Sequence, residues 1–182
     1  MLTPSMERAL KLAVVTGLRA ALGPALISRS QIRPERQNLA LAAIGEMIID
    51  KIPFAPSRDT LLPLIARGLA GAWVANRCVE EDGAEADPWA APLGAAVAMG
   101  VAVITPKIRK TLGWTTGIPQ PILGLFEDYL ALKLGAEAVG LSMNQVSEAA
   151  RESIEDLKDR AEHWEMPEQV RELVQSAGAG SI

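Results

Sequence analysis

Residues 39–53 read LALAAIGEMIIDKIP, a run in which two carboxylates, Glu46 and Asp50, interrupt an otherwise apolar segment. Spaced i,i+4, they share one face of a helix. An ionised carboxylate in a low-dielectric setting needs a cation or hydrogen-bond donors, or it takes up a proton. The rest of the chain is therefore expected to bring partners to this face.

The run offers about 14 helical residues, or roughly 21 Å at 1.5 Å per residue, against a bilayer hydrocarbon core of about 30 Å. It is short for a membrane span. A tilted helix continuing through Phe54 fits, and so does a re-entrant segment stopped by Pro53 and Pro56.

Four further apolar segments surround it. The segment from Met6 to Ile27 places Ala9, Ala13, Gly17, Ala21 and Ala25 at every fourth position, a stripe of small residues suited to close helix contact in lipid. Arg19 lies off that stripe. Inside a span it costs roughly 2.5–3.5 kcal/mol unless it snorkels or pairs, which makes it a candidate partner for Glu46 or Asp50. The connection from Ser28 to Asn38 carries Arg29, Arg33, Pro34 and Arg36 and belongs in water or at headgroups. Thr60 to Val79 is the next span, with Arg67 as second counter-charge or interfacial anchor and Gly68, Ala72 and Asn76 spaced by four.

Pro88 to Thr105 is free of charge and repeats small residues at Ala90, Gly94, Ala98 and Ala102. Pro106 to Pro119, with Lys107, Arg109 and Lys110, reads as a cytoplasmic loop by the positive-inside rule. Gln120 to Met143 is the last apolar helix and carries Glu127 and Asp128, which point about 100° apart and so need separate partners. IGEMIIDKIP and LGLFEDYLALKLG are faintly alike and occupy similar places in the two halves, as internal repeats do in transporters. Trp89 and Trp114 bracket one apolar run, where indoles at headgroup level are expected.

The whole chain has 182 residues, 49% of them apolar, and a net charge of -4. That mild negative charge excludes nucleic acid as the expected partner. The charge is concentrated in the acidic stretch Glu80 to Asp87, which reads as a solvated turn without EF-hand spacing, and in the tail after Met143. The single cysteine, Cys78, leaves no internal disulfide framework. The single histidine, His163, has no cysteine or second histidine near it, so no metal site is expected. No Gly-rich phosphate loop, Ser-His pairing or HExxH motif is present; no cofactor or catalytic residue is assigned, and an enzyme is the lesser expectation. No cleavage site follows the first apolar run, so that helix is expected to be retained.

In the tail, Ala150, Ile154, Leu157, Ala161 and Trp164 mark one face of an amphipathic helix with Ser147 as its N-cap, and Pro167 opens a second piece containing Val170, Leu173 and Val174. The expected fold is an all-α membrane protein: a bundle of four to five hydrophobic helices, one short enough to be re-entrant, over residues 1–143, and a charged extramembrane tail over residues 144–182. A re-entrant Leu39 segment gathers Arg29, Arg33, Arg36, Lys51, Arg58 and the Lys107 loop on one side and leaves the amino terminus outside the cytoplasm.

Gly17-Leu18-Arg19-Ala20 with Pro24, Gly45-Glu46 with Asp50 and Pro53, Arg67 with Gly71, and Glu127-Asp128 occur in that order between Met6 and Leu141. In this combination the chain resembles the bacterial membrane family catalogued as domain of unknown function 4126. The resemblance implies an integral membrane protein of several helices, in the bacterial inner membrane, and carries no activity with it.

Two functions are compatible with these residues. In the first, Arg19, Glu46, Asp50, Arg67, Glu127 and Asp128 form an intramembrane polar site that moves a proton, a cation or a small solute. In the second, the charges are structural salt bridges of a subunit whose small-residue faces assemble with copies of itself or with a larger membrane complex. A water-filled cavity among the charges favours the first; a closed ion-pair network favours the second.

Overall fold

The computed structural model describes residues 3–29, 36–49, 61–83 and 87–162, which form seven helices and no strand. The first, α1 (Pro4–Leu18), is started by Thr3, whose hydroxyl oxygen accepts the Met6 N–H at 3.2 Å, and by Pro4 in its first turn. It stops at Leu18. Arg19 is extended, with φ -139 and ψ 106, and α2 (Leu22–Arg29) begins after Ala21.

The second helix runs back along the first. A Cβ on Gly23 would strike the Thr16 hydroxyl and lie 3.1 Å from the Leu12 carbonyl oxygen. In one continuous helix residues 12 and 23 would be about 16 Å apart. Ile27 joins Met6, Ala9 and Leu12 in the same core cluster. The expected single span from Met6 to Ile27 is thus a hairpin of two helices turning at Arg19–Ala21. Hydrophobic periodicity is the same on both sides of a reversal, so it does not register the turn. Gly23 and Pro24 do: Gly23 permits the close approach, and Pro24 sits in the first turn of α2, where its missing N–H costs little.

α3 (Arg36–Ile49) packs on α2 and on α7. It is a regular helix to Ile49; Asp50, Pro53 and the question of re-entry at that end lie outside the described residues. The centre of the molecule is α1 against α4 (Leu61–Glu81) and α5 (Ala90–Thr116). These three approach at glycines. A Cβ on Gly17 would lie 2.5 Å from the Ala98 carbonyl oxygen, and one on Gly71 would lie 2.6 Å from that of Gly94. On α5 all four of Ala90, Gly94, Ala98 and Ala102 are buried, as their spacing predicts. On α4 the contact line is Gly68, Gly71, Ala75 and Cys78, while Asn76 is exposed. The expected stripe through Ala72 and Asn76 is therefore displaced around the helix.

α5 does not end at Thr105. It continues through Pro106 to Thr116 and closes on Gly117, whose φ of 72 lets its N–H donate to the Gly113 carbonyl at 3.0 Å. The expected loop over Pro106–Pro119 is mostly helix. Proline removes one backbone bond and bends the local path, but glycine in the left-handed region is the stronger stop. Among the described residues α5, with 27, is the one helix long and apolar enough to cross a membrane. α4 carries Arg67 and Arg77 within it, α6 (Gln120–Ala138) carries Glu127, Asp128 and Lys133, and the first segment turns back. The structure is an all-helical bundle, and α5 is its candidate span.

α7 (Met143–Glu162) begins on a capping box. The Ser142 N–H donates to Gln145 Oε1 at 2.8 Å, and the Gln145 N–H donates to Ser142 Oγ at 3.3 Å. Ser142 is thus the N-cap in place of Ser147, whose hydroxyl donates to Asn144 O inside the helix. The inner face of α7 is Val146, Ala149, Ala150 and Ser153, with Ile154 40% exposed. The tail helix therefore lies on the bundle through a face rotated from the expected one. Leu157, Ala161, His163, Trp164 and everything after Pro167 lie outside the residues whose side chains are described.

At one end Arg8 ties three helices together. Its guanidinium donates to Glu81 at 3.1 Å, Asp82 at 2.9 Å and the Ala138 carbonyl at 3.1 Å. Two members of the acidic stretch are therefore fixed by a partner and are not simply solvated. Burial pushes the Glu81 carboxyl above the usual glutamate range, and Arg8 draws it partway back. A raised folded-state value means that Glu81 supports the fold fully below the unfolded glutamate value of about 4.3, and that this support is lost as pH rises through the folded value. The difference in melting temperature between wild type and Glu81→Gln should move against the wild type from about pH 4 to pH 7; a difference flat across that range refutes this.

The glycine contacts give a second expectation. Gly94→Leu should cost about 1–3 kcal/mol through overpacking against α4. Gly100→Ala, where a Cβ meets nothing within 4 Å, should gain about 0.5–1 kcal/mol of helix stability. Thermal or denaturant melting of the two variants reads both signs.

Candidate functional site

The hairpin turn lies inside the protein, and reversing a chain there exposes amides that α-helix bonding does not use. The first N–H groups of a helix have no intrahelical acceptor. Leaving one buried and unsatisfied costs about 1–3 kcal/mol. Glu46, projecting from α3, meets this demand: its Oε1 accepts the Ala20 N–H and its Oε2 the Ala21 N–H, both at 2.9 Å. The carboxylate lies at the positive end of α2, where the helix dipole favours it.

Arg67 of α4 closes the same carboxylate from another side. Its Nη2 donates to Glu46 Oε1 at 3.0 Å, and its Nη1 donates to the Pro63 carbonyl one turn below at 3.4 Å. The Arg67 side chain is only 5% exposed. A buried guanidinium is tolerated when its planar donors meet fixed acceptors, and among the described residues the acceptors include this carboxylate and this carbonyl.

Arg19 stands at the apex of the turn, with a side chain 1% exposed. Its Nε and Nη2 both donate to Asp128 Oδ1 on α6, the first at 2.7 Å. One position earlier on α6, Glu127 Oε2 accepts Arg109 Nη1 of α5 at 3.3 Å. Arg109 is 31% exposed, so this last pair forms the rim of the cluster. The two adjacent carboxylates of α6 take separate cations, as their angular separation requires.

Five of the six residues singled out from the sequence meet here: Arg19, Glu46, Arg67, Glu127 and Asp128. Asp50 lies outside the described residues. Glu46 takes Arg67, one of the two counter-charges expected for it, together with the amides that follow Arg19, while Arg19 engages Asp128; Asp50, the other expected partner of Arg19, lies outside the described residues. The apolar character of each segment identifies which charges are buried but says nothing of which helices are neighbours.

Two contributors escaped the sequence. Arg109 falls in the expected loop, because a proline inside an apolar run predicts a boundary where α5 in fact continues. The amides of Ala20 and Ala21 carry no side-chain signal at all; the only cue is the Gly23-Pro24 pair, which marks the start of a new helix. In the first segment Thr16 also turns inward, its hydroxyl donating to the Leu12 carbonyl at 2.8 Å.

Among the described residues the cluster pairs the guanidiniums of Arg19, Arg67 and Arg109 with the carboxylates of Asp128, Glu46 and Glu127. The nearby cavity of about 220 Å³ lies between α2, α3, α6 and α7 and is lined mostly by apolar residues such as Leu22, Ala25, Ala43, Met47 and Val146, with Ser147, Glu152 and Ser153 on its α7 wall. None of the six charged residues lines it. Among the described residues no group of histidine, cysteine, aspartate or glutamate is arranged to hold a metal ion.

If Glu46 secures the turn, Glu46→Ala should cost about 3–5 kcal/mol, the usual penalty for breaking a buried pair. Glu46→Gln, which retains one carbonyl acceptor, should cost distinctly less. Melting of both variants, with hydrogen exchange at Ala20 and Ala21, tests this ranking; equal losses, or unchanged protection of the two amides in Glu46→Ala, count against it. No family model matches the chain, and neither a curated protein nor a solved structure is similar to it.

Proposed function

We propose that this chain is an integral membrane protein of the bacterial inner membrane whose charged cluster is structural, and that it acts as an assembly subunit of a larger membrane complex or of its own oligomer. The observation that carries this reading is the pairing within the cluster among the described residues: Glu46 is shared between two amides and Arg67, and Arg19 is engaged by Asp128. Charges that move a substrate need room beside them. Here the carboxylates hold a backbone turn in place, and the apolar cavity lies to one side.

Three features support the membrane part. Most of the apolar window of α5 is uncovered by other helices, unlike the core helix of a water-soluble bundle. Leu61, Leu62, Ile65, Leu69 and Trp73 on α4, and Ile122, Leu125, Phe126, Tyr129 and Leu130 on α6, are also exposed; patches of this size mark lipid or partner contact. Trp89 and Trp114, 67% and 87% exposed, are about 37 Å apart along the helix axis. That distance falls between the hydrocarbon thickness of about 30 Å and the full bilayer thickness of about 40–45 Å.

Membership in domain of unknown function 4126 belongs to the same proposal. Of the residues that carry the resemblance, Gly17, Arg19, Glu46, Arg67, Gly71, Glu127 and Asp128 belong to the hairpin, its lock and the close crossing of α4, while Asp50 and Pro53 lie outside the described residues. A motif set built to hold a turn inside a membrane needs no substrate.

The α1–α2 hairpin also supplies the geometry on which transporters build sites, a helix start within the membrane. In this chain Glu46 occupies that start. Reconstituted in liposomes, the protein should pass no more protons or common cations than empty vesicles. It should remain in the membrane pellet after alkaline carbonate extraction and run in mild detergent above the mass of one chain. A proton or cation flux that disappears in Glu46→Gln refutes the assembly reading in favour of transport, and release by carbonate refutes the membrane reading itself.

A further inference from the structure

The extension of α5 beyond Pro106 places two lysines where the cluster makes no use of them. Lys107 and Lys110 are exposed, and neither ammonium meets a carboxylate among the described residues. Between them in sequence, Arg109 turns inward to Glu127, so it is not available to the same surface. Lys107, Lys110 and Trp114 follow one another at i, i+3 and i+7, which puts them on one face of the helix. Ile104, one turn earlier on that face, is 54% exposed, and Trp114 is 87% exposed. The face thus passes from an aliphatic side chain, through two ammoniums, to an indole.

The charges that α5 itself carries, Lys107, Arg109 and Lys110, are of one sign. No aspartate or glutamate occurs anywhere in α5. The carboxylates of Glu80, Glu81, Asp82 and Asp87 belong to the opposite end of the molecule, beside Trp89. From Trp89 to Lys107 is about 27 Å of helix, close to the hydrocarbon thickness of about 30 Å. If α5 spans, Trp89 and the lysines reach opposite interfaces.

We propose that the Lys107–Lys110–Trp114 face of α5 binds the headgroups of anionic phospholipid. The lysine stems can lie along apolar surface while their ammoniums extend to phosphate, and the indole, about 6 Å beyond Lys110 along the helix, extends the same face with its ring in the interface. The opposite, acidic end has no such complementarity, so the face also orients the chain with Lys107 and Lys110 toward the anionic leaflet. This inference rests on the membrane reading of α5.

The test uses the full chain in zwitterionic micelles and dansyl-labelled phosphatidylglycerol, with energy transfer from the tryptophans as readout. Transfer should saturate with phosphatidylglycerol and weaken with salt. Lys107→Gln and Lys110→Gln should each lower the apparent affinity about fivefold, while Lys11→Gln, a control whose side chain pairs with Glu7, should leave it unchanged. Both test lysines are exposed, so the variants should melt like the wild type. Equal transfer to labelled phosphatidylcholine, or full affinity in the Lys107→Gln/Lys110→Gln double variant, overturns the proposal. Displacement by soluble glycerol phosphate at similar affinity overturns the lipid as the source of the phosphate. Carbonate extraction separates the two readings: a chain that stays in the membrane yet shows no lysine-dependent preference fails only here.

Discussion

Glu46 holding the amides of Ala20 and Ala21 is the contact on which the remaining arrangement depends. A helical hairpin that turns within the bundle must satisfy its apex without water. The carboxylate does this with two oxygens, one per amide, and the third demand on it comes from Arg67. Through that one group α3 and α4 are both fastened to the turn between α1 and α2.

The second fastening is Arg19 to Asp128, which brings α6 to the same apex. Buried pairs of this kind are poor sources of net stability, because desolvation offsets much of their attraction, yet removing one partner is costly. Their contribution is to specify register. A helix of mostly Ala, Gly and Leu can slide against its neighbours with little loss, and a charge that must find one particular partner removes that freedom. Close glycine crossings, Gly17 against Ala98 and Gly71 against Gly94, then hold the helices at a distance that lets the pairs form.

Within the membrane reading, the two ends of the bundle differ in kind. At one, Arg8 gathers Glu81, Asp82 and the Ala138 carbonyl into a clamp with an acidic surround. At the other, α5 extends as a basic and aromatic face whose lysines are not used internally. The cluster of paired charges lies between these ends. Such a layout suits a protein that is positioned in a membrane and assembled there, with its polar groups turned inward to maintain shape.

Much of this was legible in the amino-acid sequence. Charged residues in apolar segments identify the groups that must be paired, and Arg19, Glu46, Arg67, Glu127 and Asp128 all meet in one cluster for that reason. The small-residue repeat on α5 likewise names its buried face, because a period of four is itself a helical property. The sequence alone determined that the chain is helical and which charges need partners. Tertiary structure decided the pairing of Arg19 with Asp128, the reversal at Arg19–Ala21, the passage of α5 through Pro106 and the recruitment of Arg109. Each of these depends on which helix lies beside which, and on backbone N–H groups that every residue except proline carries. Local pattern encodes periodicity and polarity, but it holds no record of a turn whose two arms have the same periodicity.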